Sequence, residues 1–194
     1  MTKNYSIVSY LSEEDFKKVR SIQKELSKLT GSEKCLVDWL PHLTVGTGII
    51  LGEEQLLVAD KLFKEVADKP KSFSIKAGGF GGWDNWKGAI EGKITPYVIY
   101  LKVEVNDELQ GLFDLLKSEV TDGFEVWLPR IEDYKPHITL AFADLDEAGY
   151  QKGLDYANSL KDFSLDVNIP HFSLTECYGV GNMDSVEYKR YYLG

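Results

Sequence analysis

The second half of this 194-residue chain repeats the order of the first, and that repeat constrains the fold more than any other feature. A β-rich run at Tyr5–Leu11 leads into a segment that Ser12 opens as an N-cap, acidic residues follow, and Phe16, Val19, Ile22 and Leu26 recur at helical spacing. A strand is predicted at Pro41–Ile50, a second amphipathic helix at Glu53–Asp68, and then "KSFSIKAGGFGGW" as a strand running into a glycine-rich turn. The same order returns: a strand at Tyr97–Val105, a helix capped by Asn106, a strand over "PHITLAFA", a helix at Asp146–Leu160, and closing strands over "FSLDVNIPHFSLTECYG" and "EYKRYYL". The two caps lie 94 residues apart, His42 and His137 lie 95 apart, and Phe73 and Phe163 lie 90 apart. Offsets this even predict a duplicated β-α-β-α-β unit with pseudo-twofold symmetry, its halves at residues 1–95 and 96–194. The length suits one domain or two tightly joined lobes, with a core that needs no metal or disulfide.

Inside the repeat, "DWLPHLTV" at Asp38–Val45 is echoed by "DYKPHITL" at Asp133–Leu140, and the echo holds two of the three histidines in the chain. Alternate side chains of a strand share a face, so His42 and Thr44 point one way while Leu43 and Val45 enter a core. His137 and Thr139 do the same in front of Ile138 and Leu140. Gly46 and Ala141 come next on the His/Thr face, and both are small enough to leave room for a ligand. Pro41 and Pro136 suit strand starts, where no N–H is needed. Packing alone would ask for the apolar positions of the echo only; a shared site would need its histidines and threonines too. Pseudo-twofold symmetry would place two imidazoles and two hydroxyls in one cleft. That set suits a phosphodiester: one neutral imidazole takes a proton from the attacking oxygen, one imidazolium protonates the leaving oxygen, and the hydroxyls hold the non-bridging oxygens.

Other classes are excluded or disfavoured by composition. A net charge of −9 argues against a dense basic surface for long nucleic acid. Cys35 and Cys177 form no CxxC pair or disulfide framework, which fits a reduced, cytoplasmic setting. No h-region or run of 18 apolar residues is present, so neither a standard secretion signal nor a membrane span is expected. The histidines are far apart in sequence and have no nearby cysteine, so no zinc-ligand spacing appears and no cofactor is implied. "GGFGG" lacks the Lys-Ser/Thr of a P-loop, and "GVGNMD" lacks the third glycine of a dinucleotide site; both read as turns.

With the pair "HLTV" and "HITL" about 95 residues apart in a duplicated α+β chain, the sequence resembles the two-histidine (2H) phosphoesterase superfamily, which includes 2′-5′ RNA ligase-like proteins and cyclic phosphodiesterases. "FSLTECYG" followed by "YKRYYL" resembles the closing strands of that family. The resemblance implies a bilobal α+β fold in which two antiparallel sheets line a central cleft with helices outside. It implies a metal-independent hydrolase acting on 2′,3′-cyclic nucleotides or short 2′-5′-linked or cyclic oligonucleotides. His42 and His137 become the acid–base pair, and Thr44 and Thr139 the phosphate binders. Many ligase-like members continue the motif with a basic residue, whereas Thr47 and Phe142 stand there here. RNA-end processing and non-catalytic nucleotide or RNA binding are therefore the alternatives. Lys135 or Arg130 would supply the missing positive charge. Tyr178 is the preferred base stacker among Trp39, Trp83, Trp127 and Tyr134. His171, without a repeat partner, is expected to be structural, and Asp38 and Asp133 to serve turns. The expected partner is a small nucleotide or oligonucleotide bound to a monomer, with neither long duplex nor membrane.

Overall fold

The apolar periods of the sequence mark most of the elements seen in the computed structural model, which describes residues 1–37, 40–121, 123–126, 135–177 and 185–194. In chain order these are β1 (Lys3–Tyr10), α1 (Glu13–Thr30), α2 (Lys34–Val37), β2 (His42–Thr44), β3 (Ile49–Leu51), α3 (Glu53–Ala67), β4 (Phe73–Trp83), β5 (Val98–Val103), α4 (Asp107–Thr121), β6 (Glu125–Val126), β7 (His137–Phe142), α5 (Glu147–Ser159), β8 (Ser164–Ile169), β9 (His171–Cys177) and β10 (Ser185–Tyr192). Both expected caps form. The Ser12 hydroxyl accepts from the Asp15 N–H at 3.2 Å, and the Asn106 side chain accepts from the Leu109 N–H at 2.9 Å. On α1, Val19, Ile22 and Leu26 are buried, while Phe16 stays half-exposed.

Two antiparallel sheets result, giving the α+β architecture expected. The first runs β10-β9-β1-β3-β6, with β2 also paired to β1; the second runs β7-β5-β4-β8. The two halves of the chain interlock. β4 leaves the first half to pair with β5, and β9 leaves the second half to pair with β1. Helices cross over as well: α1 packs on β7 and α5, whereas α3 packs on β3, β10 and α4. One apolar cluster joins these layers, with Phe63 of α3 set edge-on to Phe172 and Tyr191 at 5.8 and 5.6 Å. Burying such a ring contributes about 1.5–3 kcal/mol. Among the described residues, no helix is long and apolar enough to cross a membrane.

Three strand predictions need correction. The run at Pro41–Ile50 is two strands, because the Val45 and Gly46 N–H groups both reach the Ile7 carbonyl and the chain loops out before rejoining β1 at Ile49. The run at Phe163–Gly179 breaks at Pro170, which has no N–H for a ladder, and the chain changes sheets there. The Phe73–Phe163 offset thus equates β4 with β8, yet it is β9 that stands beside β1 as β4 stands beside β5. Finally, "GGFGG" is not a turn. It continues β4, with a register shift between Ala77 and Phe80 and Gly79 at φ 68°.

Candidate active site

β2 edges one sheet and β7 the other, and the two strands pack against each other without a ladder between them. Their Pro-His-x-Thr segments alternate as the sequence requires. Leu43, Ile138 and Leu140 are buried, while His42, Thr44, His137 and Thr139 are half-exposed. Each histidine makes the same local bond. Nδ1 of His42 donates to the Leu40 carbonyl at 2.8 Å, and Nδ1 of His137 donates to the Lys135 carbonyl at 2.8 Å. A carbonyl only accepts, so the proton sits on Nδ1 of both rings, and each neutral ring carries its basic lone pair on Nε2.

Burial disfavours the charged form of both rings. Burial lowers the His42 pKa to about 4, against the opposing bond to the Leu40 carbonyl, and His137 lowers it further. The two imidazoles stand on strands that pack against each other. Burial also lowers His137, partly offset by the bond to the Lys135 carbonyl. An anionic phosphate between the rings would favour the imidazolium form and let one of them act as an acid.

The surroundings of the two histidines differ. Tyr10 lies opposite His42 in the β1–β2 ladder, with ring centroids 6.3 Å apart, and its hydroxyl meets that of Thr175 at 2.9 Å. His137 instead sits against aromatic faces, 4.8 Å from Trp83 and 5.4 Å from Tyr100. Those rings pack on each other at 4.5 Å, tilted by 37°, and Tyr100 covers Gly81, where a Cβ would come within 2.7 Å of it. The glycines of β4 therefore make room for the aromatic group that backs His137. Gln23 of α1, nearly fully buried, donates to the Thr139 carbonyl at 3.0 Å. Helix α1 of the first half thus braces the motif of the second.

Of the other sequence candidates, Lys135 is exposed just ahead of β7 and contributes its carbonyl to His137. Arg130 and Tyr178 lie outside the described residues, as do Trp39, Trp127, Tyr134, Asp38 and Asp133. Gly46 and Ala141 do not leave room for a ligand. A Cβ on Gly46 would sit 3.0 Å from Ile7. The register shift in β7 pairs Ala141 with Ile99 directly after Thr139 pairs with Tyr100, which turns Ala141 to the opposite, buried face. At the positions following the two motifs, Thr47 is buried and Phe142 packs edge-on to Trp86 at 4.8 Å. His171 is buried at the start of β9, its Nε2 has no partner among the described residues, and burial lowers its pKa to about 4. Tyr10, Tyr100, Gln23 and Thr175 escaped sequence reasoning, because each reaches the histidines only through strand pairing or helix packing. Among the described residues, no group of three His, Cys, Asp or Glu could hold a metal ion.

No protein-family model matches the sequence, and no curated protein matches it. The comparison of folds is decisive. LigT of E. coli, in a crystal structure with 3′-AMP, matches 100% of this chain and 99% of its own at a TM-score of 0.68 and 16% identity. This chain has the LigT fold. Protein TT0787 of Thermus thermophilus matches 98% of this chain and 97% of its own at a TM-score of 0.62 and 18% identity. Usb1 of Kluyveromyces marxianus matches 98% and 97% at a TM-score of 0.51 and 12% identity. The LigT fold is the architecture that the two-histidine resemblance implied, and it spans the whole chain.

Proposed function

We propose that this chain is a two-histidine phosphoesterase, hydrolysing 2′,3′-cyclic nucleotides or short 2′-5′-linked or cyclic oligonucleotides without a metal ion. One observation carries the reading: two neighbouring histidines from distant halves of the chain each donate Nδ1–H to the carbonyl two residues back, which makes Nε2 the basic atom of both. In this mechanism one Nε2 accepts the proton of the attacking water as its oxygen bonds to phosphorus. The other, protonated with the bound phosphate, gives its proton to the departing ribose oxygen as the P–O bond breaks. Thr44 and Thr139 donate to the non-bridging oxygens, where negative charge grows.

Further support comes from the structural neighbours, since LigT has been crystallised with 3′-AMP, phosphate, NADP+ and ATP. The acidic chain and the absence of a basic residue at Thr47 and Phe142 favour such small substrates over RNA ends. The test is a panel of 2′,3′-cyclic, 2′-5′-linked and 3′-5′-linked substrates assayed in EDTA. Turnover of the first two classes is expected. Loss of activity on chelation that a divalent ion restores would refute the metal-independent mechanism, and binding without turnover would make the chain a nucleotide-binding module.

A further inference from the structure

On the sheet face that carries His42, a polar group stands outside the acid–base chemistry. Glu187 lies opposite Thr175 and Arg190 opposite Ser173 in the β9–β10 ladder. The Glu187 carboxylate accepts from the Ser173 hydroxyl at 2.5 Å and from Nε and Nη2 of Arg190 at 2.8 and 3.0 Å. These two side chains border a hollow of about 220 Å³ whose other walls include Tyr10, Phe16, Leu40 and Pro41. The hollow adjoins His42 directly: Pro41 precedes it in the chain, the Leu40 carbonyl holds its Nδ1, and Tyr10 is its ladder partner.

We propose that this hollow is a nucleobase subsite, in which Glu187 and Arg190 bind the edge of the base and Tyr10, Phe16 and Leu40 cover its faces. The inference rests on the phosphoesterase reading above and adds where the substrate's base goes. Size is the first argument. Drug-sized ligands occupy pockets of about 300–1,000 Å³, so this smaller space suits a single ring system rather than a whole nucleotide. Charge is the second. Glu187 and Arg190 pair their charges at this wall, so the hollow carries no net charge of its own and suits an uncharged polar group. Hydrogen-bond capacity is the third. A carboxylate offers about four lone-pair sites and a guanidinium five N–H donors. The bonds above use three of the former and two of the latter, and Arg190 also bonds the Tyr192 side chain, which leaves about one lone-pair site and two N–H donors. An acceptor thus remains beside donors, and every natural base presents an N–H next to an acceptor on one edge. Apolar walls beside such a pair match a flat ring with a polar rim.

The test compares kcat/KM for a 2′,3′-cyclic nucleotide with that for base-free ribose 2′,3′-cyclic phosphate. The nucleotide should be preferred by at least about tenfold, the worth of a hydrogen bond to a charged group. E187Q and R190K should each shrink that preference, acting more on the nucleotide than on the base-free sugar. Equal rates for the two substrates in the wild type, or equal losses in the variants, overturn the subsite while leaving the hydrolase reading intact. If neither substrate turns over, the hydrolase reading fails, and calorimetry decides the subsite alone. Tighter binding of 3′-AMP than of ribose 3-phosphate, weakened by R190K, supports it; equal affinities overturn it.

Discussion

β2 and β7 present the same four residues in the same backbone arrangement, yet in unlike settings. Both histidines bond a carbonyl two residues back at 2.8 Å. His42, however, adjoins Tyr10, whose hydroxyl meets that of Thr175 on β9, whereas His137 is backed by Trp83 and Tyr100. The local bond is written in a short motif and repeats with it. The surroundings come from strands and helices contributed by both halves, and nothing in the repeat obliges them to match. The same local motif thus carries two imidazoles in chemically distinct surroundings.

The largest expected effect tests whether both sides are needed. His42→Ala and His137→Ala should each lower kcat by about 10²–10⁴-fold on the preferred substrate, with folding retained by circular dichroism. A variant that keeps full activity would end the paired reading. Next, Thr44→Val and Thr139→Val remove one donor from each side, and each should cost about 10²-fold in kcat. A loss confined to one of them would show that only one strand grips the phosphate.

Gly81→Ala probes the aromatic side alone. The new Cβ would collide with Tyr100, so stability should fall by about 1–3 kcal/mol in a denaturant titration. The His137 imidazole resonances should move while those of His42 hold; movement of both would break the claim of separate surroundings. The pH dependence follows from the sign of the shifts. His42 and His171 have pKa values near 4 in the folded chain against 6.5 for the free side chain, so the unfolded chain binds more protons in between. Stability from these groups is complete above pH 6.5 and is lost as the pH falls towards 4. A denaturation midpoint that stays flat from about pH 7 to 5 would contradict it. The smallest effect is that of Gln23→Leu, which removes one hydrogen bond to the Thr139 carbonyl and should cost about 1 kcal/mol, with a several-fold loss of kcat. An unchanged kcat would mean that β7 holds Thr139 without help from α1.

Much of this was legible in the sequence because it depends on near neighbours. Caps at Ser12 and Asn106, the buried stripe of Val19, Ile22 and Leu26, and the alternation of His-x-Thr all follow from spacings of two to four residues. Even the bond from each imidazole to the carbonyl two residues back is local. Errors arose where a distant partner set the outcome. Gly46 looked like space for a ligand, but Ile7 of β1 fills that space. Ala141 left the cleft because β7 bulges against β5. The glycines of β4 read as a turn, yet they are small because Tyr100 and Tyr150 lie across them.

The sequence by itself determined that two Pro-His-x-Thr strands exist, which faces their side chains take, and which helices follow them, since period and capping act through adjacent turns. Only the tertiary structure decided that β4 and β9 would exchange sheets, that Trp83 and Tyr100 would back one histidine, and that Tyr10 would adjoin the other. Those contacts join residues some 30 to 165 positions apart. Such pairings come from burying the apolar faces of two sheets at once, a condition on the whole chain that no short window contains.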